Sequence, residues 1–238
     1  MAGGGGRTGA RLLVLLVVLA ALTAGVVLLG NTVGRSYLER QIATLAQTQV
    51  GLPSAPSVSV KDRLLVWSVA RQRLDRVEVT AQHVPLTVAE ADISPDIGLV
   101  LSDVSRSGDT YTAGSLAAEV RLSWSDAEKL AQVPLQKGDQ DTVEVQVSTT
   151  LAGVQVSGTV SGRLIIDSQG RLAVTEPSLT LNGYQAPQSV VRAAVGALLK
   201  PVDLNLPNGL RATSVSVTDA GVSLIITGSN VDLSRLGR

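Results

Sequence analysis

From Pro56 onward apolar and polar residues alternate with a period of two, as strands do when one face is buried and the other wet. Val58 and Val60 alternate with Ser57 and Ser59, and Val77 and Val79 with Arg76, Glu78 and Thr80. The clearest array sets Val143, Val145 and Val147 between Thr142, Glu144, Gln146 and Ser148. Val154 with Val156, and Val215 with Val217, repeat the pattern. Turn signals fall between these runs at Ser107-Gly108-Asp109, Asp167-Ser168-Gln169-Gly170 and Asp219-Ala220-Gly221. Links this short predict antiparallel hairpins, pairing Gly158–Ile166 with Arg171–Leu181 and Leu210–Thr218 with Val222–Gly228.

Elsewhere the period lengthens to that of a helix. Leu38, Ile42 and Leu45 form one apolar stripe over residues 31–50, ended by Gly51-Leu52-Pro53. Ser125-Asp126-Ala127-Glu128 reads as a capping box opening a short helix that ends near Gln132. Pro187 opens another, whose apolar face is Val190, Val191, Ala194, Val195, Leu198 and Leu199, closed by Lys200-Pro201. Leu64–Ala70 is continuously apolar in Leu, Val and Trp, and periodicity leaves it unassigned.

The N-terminus has no alternation at all. The 18 residues from Leu12 to Leu29, Val18 among them, carry no charge. A helix of that length is about 27 Å long, close to the hydrocarbon thickness of a bilayer. Arg7 and Arg11 precede the run, which places the N-terminus in the cytoplasm and the rest of the chain across the membrane. The run is long for a cleaved signal peptide and ends in Val26-Val27-Leu28-Leu29-Gly30 without an A-x-A site, so an uncleaved anchor is the expectation and a cleaved leader the alternative. The predicted architecture is therefore α+β. A transmembrane helix with its cytoplasmic tip occupies residues 1–30. One exported domain follows over 31–238, an antiparallel sheet with two or three helices.

Composition removes most chemistry. Cysteine is absent and histidine occurs once, which excludes disulfides, thiolate chemistry and poly-histidine metal sites. Lys+Arg and Asp+Glu are both 20, and aromatics are 2%, so neither a basic excess nor a stacking ladder offers a nucleic-acid site. His83 stands without a G-x-S-x-G partner serine, and its ordinary reading is an exposed strand-end residue. Glu90, Asp92 and Asp96 have oxygen ligands but not the spacing of a calcium loop. No catalytic residue, metal or cofactor is expected.

What remains is aliphatic surface. Branched aliphatic walls suit acyl chains, which offer no hydrogen bonds, and the same walls equally close a solid core. The candidate lipid contacts are Leu65, Trp67, Val143, Val145, Val147, Val191, Val195 and Leu198, with Leu12, Val18 and Leu29 marking the anchor. A non-enzymatic envelope scaffold with a solid core is the competing reading.

Three stretches carry a family resemblance. They are Tyr37-Leu38-Glu39-Arg40-Gln41-Ile42; Val58-Ser59-Val60 through Leu64-Leu65 with Arg76-Val77-Glu78-Val79-Thr80-Ala81; and Leu206-Pro207-Asn208-Gly209-Leu210 with Thr213-Ser214-Val215-Ser216-Val217 and Asp219-Ala220-Gly221-Val222. In these the chain resembles the LmeA family of actinobacterial phospholipid-binding proteins. The resemblance implies an exported protein at the cell membrane, extracytoplasmic and without enzymatic activity, that holds a phospholipid. It also implies a link to cell-envelope lipoglycan assembly and a curved sheet with a lipid groove, similar to the tubular lipid-binding folds. The expected partners are phospholipid and the cytoplasmic membrane.

Overall fold

The computed structural model describes residues 56–61, 73–88, 91–108, 110–151, 154–181, 183–187 and 209–233, together with Ser54, Val191, Asp203, Leu204 and Leu206. In chain order the strands are β1 (Ser57–Val60), β2 (Arg73–Ala81), β3 (Leu86–Val88), β4 (Ala91–Ile93), β5 (Asp96–Ser107) and β6 (Thr110–Ser123). Helix α1 (Trp124–Ala131) follows, then β7 (Leu135–Lys137), a 3₁₀ turn (Asp139–Asp141), β8 (Thr142–Leu151), β9 (Val154–Ile166) and β10 (Leu172–Leu181). The last strands are β11 (Tyr184–Gln185), β12 (Leu210–Thr218) and β13 (Gly221–Asp232).

This corrects the expected α+β class. Sheet dominates, and α1 is the single α-helix element among the described residues. No helix among them is long and apolar enough to cross a membrane. The expected anchor, with Leu12, Val18 and Leu29, and the expected helix over 31–50 lie outside the described residues. Of the helix expected from Pro187, only Pro187 and Val191 are described, joined by a hydrogen bond from the Val191 N–H to the Pro187 carbonyl at 3.1 Å. β5 and β6, the longest hairpin, interleave their apolar residues with Gly, Ser, Ala and Asp and show little of the valine alternation seen elsewhere, so the pattern understates the sheet.

The described residues fall into two units. The first draws on Met1–Arg121, Asn205–Arg211 and Ile225–Arg238, the second on Leu122–Leu204 and Ala212–Leu224. In the first, strands run in the order β1-β2-β5-β6, followed by the part of β13 from Ile225 onward. Opposed residues of neighbouring strands share a face, so register alone builds the core. Val79, Leu99 and Ala118 form one row, Val77, Leu101 and Leu116 a second, and Ala81, Ile97 and Val120 a third. All nine are buried.

Those rows change parity at a single line. The inward set is Val77, Val79 and Ala81 on β2, but Leu74 beyond; Ile97, Leu99 and Leu101 on β5, but Val104 beyond; Leu116, Ala118 and Val120 on β6, but Ala113 beyond. The extra residues are Asp75, Asp103 and Gly114, which the flanking registers place side by side. Asp103 takes φ +52°, a left-handed conformation that aspartate tolerates better than most residues. A side chain at position 114 would put its Cβ 2.9 Å from the Asp103 Cβ, so glycine leaves the room. Arg73 binds the Asp103 carboxylate at 3.0 Å. Along this line two successive residues on each of the three strands are left off the buried face, which switches its parity while the register is kept.

In the second unit the five-stranded sheet runs β11-β10-β9-β8-β7. Helix α1 is capped by Ser123, not Ser125: the Ser123 hydroxyl accepts from the Asp126 N–H at 3.1 Å and donates to the Asp126 carboxylate. Glu128 accepts the Leu135 N–H instead of reaching back to the cap. The β9–β10 hairpin forms as expected, with Ile166 opposite Leu172 and Gly158 opposite Leu181. Its turn is tied by Asp167, whose carboxylate accepts from the N–H groups of Gln169 and Arg171 and from the Arg171 guanidinium, all within 2.9 Å.

Those bonds hold the Asp167 carboxyl below the ordinary aspartate range, the Arg171 backbone N–H contributing most. A carboxyl depressed in the folded state stabilises it above the unfolded value, about 4, and that contribution is lost as pH falls through the lower folded value. The Gln169 and Arg171 amides are therefore expected to lose protection from hydrogen exchange below about pH 4. In Asp167→Asn the same amides should show no such acid step.

Candidate functional site

The sequence array Val143, Val145, Val147 lies on β8, and register supplies its neighbours. Val143 pairs with Gly162 and Val147 with Gly158, while Val145 pairs with Val160, which pairs in turn with Leu179. Val145, Val160, Leu179 and Val191 form one buried cluster, with Val133, Leu135, Leu181 and Ala186 packed half-buried around it. Two of the residues singled out in the sequence, Val145 and Val191, lie in this cluster.

Glycine shapes that surface. Along Gly158-Thr159-Val160-Ser161-Gly162 every second residue faces the cluster, and two of the three lack a side chain. A Cβ at Gly158 would come within 2.7 Å of Leu181 Cδ2, and one at Gly162 would collide with Val174 Cγ1. Leu181 and Val174 thus lie over the gaps that the glycines leave. Both are half-buried, as are Leu164, Ile165 and Leu172. The opposite side is polar, with Ser161 and Ser178 hydroxyls 2.7 Å apart and Arg163 paired with Glu176. A register shift between Thr175 and Ser178 ends the regular ladder, and Glu176 sits there at φ +49°.

At the β12–β13 turn, Lys137 donates to the Asp219 carboxylate at 2.7 Å, and the Trp124 indole N–H donates to the Asp219 carbonyl at 3.0 Å. That ion pair raises Lys137 above its ordinary value and lowers Asp219 below its own, in each case chiefly through their shared hydrogen bond. The indole of Trp124 is thereby committed to the protein.

The first unit carries a shallow hollow of about 220 Å³ on the side of its sheet away from the core rows. It opens where Gly98 leaves space between Thr80 and Glu119, with Val100 and Ala117 beside it. Glu78 and Glu119 line it, paired with Arg76 at 2.8 Å and with Arg121 at 2.9 Å. Sites for drug-sized ligands span roughly 300–1,000 Å³, so this hollow is too small for a two-tailed lipid.

His83 is exposed, and its backbone N–H donates to Asp96 at 2.9 Å. Asp92 accepts from the Thr87 hydroxyl. These acids fasten local turns, and no group of three metal-ligating residues occurs among the described residues.

The family model described as LmeA-like phospholipid-binding matches residues 29–227. The chain belongs to the LmeA-like phospholipid-binding family. No curated protein and no solved structure matches it. As a member of a phospholipid-binding family, the chain has a ligand whose bulk is hydrocarbon.

Of the lipid contacts expected from the sequence, Val143, Val145 and Val191 are buried in the second unit. Val147 is a β8 residue, and Leu65, Trp67, Val195 and Leu198 lie outside the described residues. Val160 and Leu179, with Leu181 packed against them, join Val145 and Val191 in the cluster although the valine alternation does not single them out. The alternation Gly158-x-Val160-x-Gly162, read as a strand that needs taller neighbours on both sides, was the signal for them.

Proposed function

We propose that this LmeA-like protein holds phospholipid acyl chain along the aliphatic face formed by β8, β9 and β10, at the extracytoplasmic surface of the cell membrane, and presents lipid for cell-envelope lipoglycan assembly. The role is binding without catalysis. The observation that carries the reading is the run of Val143, Val145, Val160 and Leu179 beside two glycine positions topped by movable side chains, Leu181 and Val174. Each methylene taken out of the bilayer costs about 0.8 kcal/mol unless apolar contact replaces it. Ten methylenes therefore demand about 8 kcal/mol of dry surface. Rotation of Leu181 and Val174 off their glycines is how that surface opens. The uncharged Leu12–Leu29 segment supports a working place at the membrane.

Native mass spectrometry of the full chain released from detergent micelles tests this. The expected result is a bound species heavier by one phospholipid. Lipid-free protein that takes up no added phospholipid would overturn the reading and leave the sheet as a solid scaffold.

A further inference from the structure

Tyr184 is the one large hydrophobic residue that stands fully out from the described residues, 80% exposed. It opens β11, the two-residue edge strand of the second unit's sheet, opposite Leu181. The link between them is Asn182-Gly183, with Gly183 at φ +85°, the turn glycine of a tight hairpin. Residues 177–191 carry no charge, and Glu176 and Arg192 bound them. Within this stretch, Leu181 and Ala186 pack on the cluster of Val145, Val160, Leu179 and Val191. An uncharged hairpin tip therefore joins an exposed phenol directly to the aliphatic face. A tyrosine ring with an apolar body and a polar hydroxyl suits the depth where lipid headgroups meet water.

We propose that the β10–β11 turn is the membrane-docking tip, with Tyr184 seated among phospholipid headgroups, so that an acyl chain passes from the bilayer past Leu181 without crossing water. This rests on the acyl-chain reading above and adds the surface and the direction of entry. The occupant is a phospholipid bilayer surface. A docked partner protein would instead leave Tyr184 in water on a bare vesicle.

The chain has no cysteine, so one introduced thiol reports one place. The full-length variants Tyr184→Cys and Ser168→Cys, each carrying an environment-sensitive dye, are bound to vesicles of phosphatidylglycerol and phosphatidylethanolamine containing a lipid-borne quencher. Ser168 lies in the exposed β9–β10 turn, at the far end of β10 and about 30 Å away along the strand. Quenching at position 184 is expected to exceed that at 168 at least fivefold. Equal quenching, or a dye at 184 that stays aqueous on vesicle-bound protein, would overturn the proposal. As a second measurement, Tyr184→Asp should slow phospholipid uptake from vesicles at least fivefold and leave the amount held after loading from detergent unchanged. An unchanged uptake rate would overturn it as well. Loss of docking with phospholipid still held defeats this proposal alone, whereas quenching at 184 in a chain that holds no phospholipid defeats only the acyl-chain reading.

Discussion

Gly221→Ala is expected to lower the unfolding free energy by about 3 kcal/mol or more, a size reserved for a few mechanisms. Two of them act here. Gly221 holds φ +147°, which side-chain-bearing residues rarely adopt, and the position its Cβ would take is filled by the Leu122 carbonyl group. Backbone atoms meet it there, so no side-chain rotation gives relief. Gly170 provides the contrast: at φ +76° with open space around it, alanine should cost only about 1–2 kcal/mol. Urea unfolding of both variants measures the difference. Equal midpoints would mean that the turn at 219–221 relaxes freely.

Leu181→Asp is expected to reduce bound phospholipid more than tenfold. Leu181 is half-buried over Gly158, at the boundary between the cluster and the outer end of the sheet. An ionised carboxylate there sets a charge against methylenes, a penalty well above the roughly 1.4 kcal/mol that a factor of ten represents. Leu181→Met keeps the volume and the flexibility, and should retain lipid. Phospholipid per protein, counted by mass spectrometry beside an unfolding curve for each variant, separates lost binding from lost fold. Retention of lipid by a folded Leu181→Asp protein would move the site away from β9 and β10.

The strands with strong alternation were legible in the sequence. Val143–Val147, Val77–Val79 and the two hairpins at 158–181 and 210–228 lie where period and turn residues place them, because a half-buried strand writes its geometry directly into composition. The β5–β6 hairpin was legible only at its Ser107-Gly108-Asp109 turn. Its inward residues include Ala113 and Ala118, small side chains that bury fully without raising local hydropathy, and its parity switch at Asp103 and Gly114 breaks any fixed period. The cap of α1 slipped by two residues because Ser123 and Ser125 both precede an acid three positions on, and only the end of β6 decides between them. The candidate site was half visible. Val145 stood out by alternation, but its partners Val160 and Leu179 come from strands whose register depends on the Asp167 turn and the bulge near Glu176.

Asp75, Asp103 and Gly114 must change as a set. A chain lacking all three would carry the same inward residues in an uninterrupted lattice, since each is the one surplus position on its strand. A chain lacking only one would leave the other two without a counterpart. Single-residue deletions scanned along β2, β5 and β6 should therefore be damaging one at a time and mutually compensating at this row, a genetic signature by which three distant codons reveal that they are neighbours.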